Sequence, residues 1–146
     1  MKLIKAFTIG AILAAGAAFA QEDPTDPNAI ARSDLMKMVG MNTGILGNMA
    51  SGKEAFDAAK AEGAKAALIE ASAKIEATFM EQGGADPASE SKAEIWANWE
   101  DFLLKAKALG DAAGTVDVAS AETIGAGMGA IGGACKDCHT TFRVMK

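Results

Sequence analysis

The apolar positions of the chain fall into four stretches of helical period. In the first, Ile30, Leu35, Met38, Ile45 and Met49 lie near one stripe, and Met36, Val39 and Leu46 mark a second stripe beside it. A helix apolar over so wide an arc faces more than one neighbour. Asp26 is a natural N-cap with Pro27 in the first helical position, and Ser51-Gly52 breaks the pattern after Met49. A second helix is predicted from just after Asp57 to Gly83-Gly84. It carries Leu68, Ile75 and Phe79 at helical spacing, with Ala61, Ala64 and Ser72 between them, small enough to let a neighbouring helix come close. A loop through Pro87 leads to Ser91, which with Glu94 makes a capping box for a third helix. That helix holds Ile95, Trp96, Trp99, Phe102, Leu103, Ala106, Leu109 and Ala113 and fades near Val118. Ser120 caps a fourth. Its apolar residues Ile124, Met128, Ile131, Cys135, Cys138 and Phe142 are spaced 4, 3, 4, 3 and 4 apart, the period of a heptad seam. Tyr is absent and β-branched runs are missing, so strands are disfavoured. Four amphipathic helices with mostly short connections predict an all-α fold, an antiparallel four-helix bundle.

The residues before the bundle read differently. Lys2 and Lys5 precede a nearly unbroken apolar and small-residue run from Ala6 to Ala18, and Ala18-Phe19-Ala20 has the form of a signal-peptidase site. Residues 1–20 are therefore expected to be a cleaved secretory signal, and residues 21–146 one domain. The competing reading is an uncleaved anchor, for which the run is short and too rich in Ala and Gly. No stable membrane insertion is expected once the signal is removed.

Cleavage removes two Lys and no acid. It leaves 12 basic residues against 19 acidic ones, a formal charge of −7 where the full chain has −5. That balance argues against a nucleic-acid partner. No nucleophile–base arrangement for hydrolysis is visible, and the chain is not expected to be an enzyme.

The two Cys and the single His of the chain all fall in Cys135-Lys136-Asp137-Cys138-His139. This is C-x-x-C-H, the attachment signal for a c-type haem. Two thiols three positions apart can add to the two vinyl groups of one porphyrin, and the adjacent imidazole can reach the iron. A thioredoxin-like disulfide would need an alternating strand–helix chain. A zinc site would need further ligands that the chain lacks. A structural disulfide would close too short a loop to constrain the unfolded chain much. One covalent haem c with its iron, attached through Cys135 and Cys138, is the expected cofactor. Haem attachment outside the cytoplasmic membrane and an export signal agree on a periplasmic location. Gly125, Gly127, Gly129, Gly132 and Gly133 precede the motif, and each costs helix propensity. They imply that either a macrocycle or a neighbouring helix comes close to the backbone.

Three signals spread over the mature chain resemble the cytochrome c′ family, the class II c-type cytochromes. The last helix has C-K-x-C-H-x-x-F-R from Cys135 to Arg143, where the family typically has Tyr in place of Phe142. Glu94-Ile95-Trp96-Ala97-Asn98 is similar to the family's third-helix segment. Arg32 followed four residues later by Met36 is similar to its first-helix pattern. The resemblance implies a four-helix bundle, in part of the family a homodimer through the first two helices, with haem near one end. It implies His139 as an iron ligand, Arg32 near the haem propionates, Arg143 beside the haem and Trp96 packed by it. Each of the last three has another physical reason for its place: a solvated helix charge, complementation of a helix C-terminus, and core packing.

The resemblance also places Met36 on the distal side of the iron, where low-spin members have Met and high-spin members a non-ligating apolar residue. Met38 and Met41 point about 200° and 140° away from Met36 around the helix. His139/Met36 ligation would make a low-spin electron carrier serving redox partner proteins the sequence does not specify. The alternative is a five-coordinate, high-spin protein that binds nitric oxide or carbon monoxide.

Overall fold

The computed structural model describes residues 23–145; the expected signal at 1–20 lies outside them. The chain forms α1 (Pro27–Ala50), α2 (Ala58–Phe79), a single turn α3 (Glu94–Ala97), α4 (Trp99–Thr115) and α5 (Ala121–Phe142). The long helices α1, α2, α4 and α5 make the four-helix bundle, in which α1 packs on α2 and α5, and α4 on α2 and α5. Among the described residues the only β pairing is an isolated antiparallel bridge between Ser91 and Arg143.

Local chemistry accounts for the helix ends. The Asp26 carboxylate accepts from the Asn28 and Ala29 N–H groups, and Pro27 occupies the first turn. Ser120 and Thr123 complete a reciprocal capping box at the start of α5. The core is a stack of aliphatic and alanine side chains in which Leu46, Leu68, Ile124 and Ile131 are fully enclosed. α2 and α4 approach closely where Ser72 donates a 2.9 Å hydrogen bond to the Ala106 carbonyl. Gly110 lies against that hydroxyl, and a Cβ there would come within 2.8 Å of it.

Three expectations are corrected. α2 stops at Phe79, not at Gly83-Gly84. The carbonyls that follow its last turn are taken by side chains from elsewhere: Arg32 donates to Glu81 and Gln82 at 2.9 and 3.1 Å. Trp96 Nε1 donates to the Phe79 carbonyl at 2.8 Å. With those acceptors satisfied, no further helical turn is required. Ser91 does not cap a helix either. Its backbone pairs with the chain after α5, and α3 starts from Ala93 without a side-chain cap. The predicted third helix is also divided at Asn98 (φ −129°, ψ 49°), whose side chain and backbone N–H both donate to the Glu94 carbonyl. An asparagine that offers its own donor to the backbone competes with the regular ladder in this way.

The glycines of α5 divide between packing and exposure. Gly127 lies against Val116, with 3.0 Å from a built Cβ to Val116 Cγ2, and Gly125 faces Ala50 of α1. Gly129, Gly132 and Gly133 are solvent-exposed on the outer side of the helix. Gly83, in the loop after α2, has φ +77°, and a Cβ there would collide with the Asp26 carboxylate. Two substitutions therefore act in opposite directions. Gly83→Ala should lower unfolding stability by about 1–2 kcal/mol, from the left-handed backbone alone. Gly132→Ala should raise it by about 0.5–1 kcal/mol through helix propensity. Denaturant midpoints of the two variants check the pair.

Candidate haem site

α1 and α5 part from each other at the end of the bundle where α1 begins. Between them lies a cavity of about 630 Å³, within the usual range for a cofactor pocket. Met36, Ser33, Gly40 and Thr43 line it from α1, and Ala134, Cys135, Cys138 and His139 from α5. Phe79, Phe102 and Phe142 form an aromatic floor. The Phe102 ring centroid is 5.1 Å from that of Phe79 and 5.4 Å from that of Phe142, the latter pair edge to face.

The register of the two walls follows from contacts at the closed end. A Cβ built on Gly47 of α1 would lie 3.8 Å from Met128 Cε of α5. Eleven residues back along α1 and eleven forward along α5 bring Met36 and His139 to one level, since antiparallel helices advance by equal rises. The fourteen-residue steps from Ala50 and Gly125, the other α1–α5 contact, lead to the same pair. Of the α1 methionines, Met36 is half-buried in the cavity wall, Met49 is in the core, and Met38 and Met41 are exposed.

The electrostatics suit ligation. Burial, with the Arg143 charge added, holds His139 below its ordinary imidazole value, so it stays neutral with a lone pair available at neutral pH. Burial pushes the Cys135 thiol up and the Cys138 thiol up to about 11. Among the described residues, two buried polar atoms of cavity-lining side chains have no hydrogen-bond partner: Arg32 Nε and Thr43 Oγ1. A group bearing carboxylates and seated in the cavity would give the guanidinium an acceptor. Two thiols, an imidazole, a thioether and an orphaned guanidinium N–H around one apolar chamber therefore fit a haem.

Not every predicted residue reaches the chamber. Arg32 lines it but is 4% exposed, with its guanidinium 5.2 Å from the Trp96 ring centroid and 5.8 Å from that of Phe79. Each of its terminal nitrogens donates to one carbonyl, of Glu81 and of Gln82, so Nε is the guanidinium nitrogen left without a hydrogen bond. Trp96 packs beneath Arg32 and does not line the cavity. Arg143 lines the mouth and is held by Glu90, with Nε 2.6 Å from Glu90 Oε2. Thr43, Glu90 and Lys105 also line the cavity and were not anticipated. The seven-residue step from Met36 to Thr43 could have indicated the first. The other two come from tertiary contacts that no local pattern encodes.

Comparisons with known proteins identify the family. A family model described as cytochrome C′ matches residues 28–143. The chain belongs to the cytochrome c′ family. A cytochrome c-556 of Agrobacterium fabrum is 34% identical over 152 residues, covering 100% of this chain and 97% of the relative. The solved cytochrome c′ of Rhodopseudomonas palustris superposes with a TM-score of 0.69 at 29% identity, covering 82% of this chain and 98% of that one. A structural model of oxidised cytochrome c556 from the same organism gives 0.71 at 26% identity, with 82% and 98% covered. The protein is accordingly a c-type cytochrome of the electron-transport class that binds covalent haem c, and its two cysteines are at 135 and 138.

The loop from 80 to 93 closes one side of the chamber and is pinned by carboxylates. Asp86 accepts from the Thr25, Asp26 and Ala88 N–H groups, and Asp26 from that of Gly84. The Asp26 N–H bond heads the causes that hold Asp86 below its ordinary value of 3.8, and the Gly84 N–H does the same for Asp26. A depressed folded-state pKa contributes stability above the unfolded value and loses it as pH falls through the folded one. Stability should thus decline from the ordinary carboxylate range downward. Asp86→Asn should be less stable at neutral pH and show a shallower acid limb. Thermal melts between pH 2 and 7 measure both.

Proposed function

We propose that the protein is a periplasmic one-electron carrier whose haem iron is held by His139 on one face and Met36 on the other. The observation that carries this reading is the level placement of Met36 and His139 on separate helices lining one chamber. A bound haem supplies a one-electron couple at its iron. The chain supplies a neutral imidazole from α5 and a soft, flexible thioether from α1, which raises the potential relative to a second nitrogen ligand. Phe79, Phe102 and Phe142 exclude water beneath the cofactor. Cys135 and Cys138, one helical turn apart, fix it covalently. Arg32 Nε would donate to a propionate and Arg143 would lie beside the bound group, while Trp96 supports Arg32. Residues 1–20 direct export, and no helix among the described residues is long and apolar enough to cross a membrane.

Relatives named cytochrome c′ and cytochrome c-556 are both similar to this chain, so the state of the distal side decides between carriage and gas binding. The wild-type protein should give a low-spin spectrum in both oxidation states at neutral pH. Met36→Leu should convert it to high-spin and admit carbon monoxide to the ferrous form. A high-spin wild-type spectrum would overturn Met36 ligation and leave the gas-binding reading.

The proposal includes a homodimer through α1 and α2. It is supported by exposed apolar side chains on both helices or at their ends, Ile30, Met38 and Met41 on the first and Ile69 and Met80 on the second. Sedimentation equilibrium at micromolar concentration should give twice the mass of the mature chain, and a monomer mass across working concentrations would remove the dimer.

A further inference from the structure

Three of the six ion pairs among the described residues are local. Lys37–Asp34, Lys74–Glu70 and Lys107–Asp111 each join residues three or four apart on one helix, with both side chains more than half exposed. Pairs of that kind contribute little. Lys105–Asp137 differs in three respects. It joins α4 to α5, with Lys105 Nζ 2.6 Å from Asp137 Oδ2. Its lysine side chain is only 19% exposed, although its aspartate is 66% exposed. And it sits on the attachment turn itself: Asp137 lies between Cys135 and Cys138, and Lys105 lines the cavity with both cysteines and His139. A charge so little exposed, beside a chamber walled by aromatic rings, is weakly screened, and its field reaches whatever occupies the chamber.

We propose that the Lys105–Asp137 pair sets the redox equilibrium of the cofactor. Lys105 favours the reduced form, Asp137 opposes it, and their contact fixes the balance. Lys105 is a positioning residue in this role: it orients the attachment turn through Asp137 and is not an iron ligand. The inference rests on the haem reading above. Reduction adds one electron and no proton to the ferric centre, and the electron comes from the reductant used in the titration. The centre becomes less positive by one charge. A neighbouring cation stabilises that change and a neighbouring anion resists it.

The test uses the haem-loaded mature protein titrated with dithionite and mediators, read by the optical spectrum. At a fixed ambient potential, Lys105→Met should raise the ferric-to-ferrous ratio by roughly three- to tenfold. Asp137→Asn, whose carboxylate is more exposed and more strongly screened, should lower it by a smaller factor, the double variant should return toward wild type, and Lys105→Arg should stay close to it. Raising ionic strength should shrink both single-variant shifts. A merely structural contact would lower the melting temperature of both single variants without shifting their ratios in opposite directions. Shifts of the same sign, or none, would overturn the proposal. If Lys105→Met does not load haem, the sign for Asp137→Asn decides by itself. Failure of the haem reading is separate and visible beforehand, as a wild-type protein without a pyridine haemochrome spectrum.

Discussion

α1 and α5 touch through small residues at one end and stand apart at the other, and the site depends on that inequality. At the closed end Gly47 admits Met128, and Gly125 admits Ala50. At the open end the same two helices carry Met36, Thr43, Cys135 and His139 around a chamber. The closed-end contacts fix the register, and the register decides which α1 side chain is level with the histidine. A shift of one residue in α1 would turn its wall by 100° and bring a different side chain level with His139.

Arg32 holds the open end in shape. A buried guanidinium is tolerable only when its donors are used and its charge is compensated. Two carbonyls just past α2 and the faces of Phe79 and Trp96 supply most of that here. Burial pushes its pKa down while the Asp26 carboxylate acts against the shift. One side chain thus ties α1 to the end of α2 and to α3, with Nε the one guanidinium nitrogen that makes no hydrogen bond.

Much of this was legible in the sequence because it is periodic or capped. The bundle, the start of α1 at Asp26-Pro27, the Ser120 cap and the phase of the two cysteines on α5 all follow from spacing. What could not be read depends on partners distant in the chain. Ser91 with Glu94 has the form of a capping box, but the Ser91 backbone is claimed by the segment after α5. α2 ends early because Arg32 and Trp96 meet carbonyls that helix propensity alone would have carried onward. The break at Asn98 was hidden because asparagine is an ordinary helix residue until its side chain competes for the preceding turn. Arg32 was singled out through the family pattern, but its bonds to two backbone carbonyls leave no local trace. Lys105 reaches Asp137 only through the packing of α4 on α5.

The loop from 80 to 93 receives both ends of the described chain. Asp86 holds the segment before α1, while Glu90 and Lys92 exchange backbone hydrogen bonds with Val144 and Phe142 after α5. In an up-and-down bundle all three meet at the chamber end, and the connections after α1 and α4 lie at the other. Tethering the molecule to an electrode or bead at Thr25 or Val144 therefore turns the chamber toward the support. Grafting through the turn at Ser51 to Glu54 presents the cofactor to the solution instead.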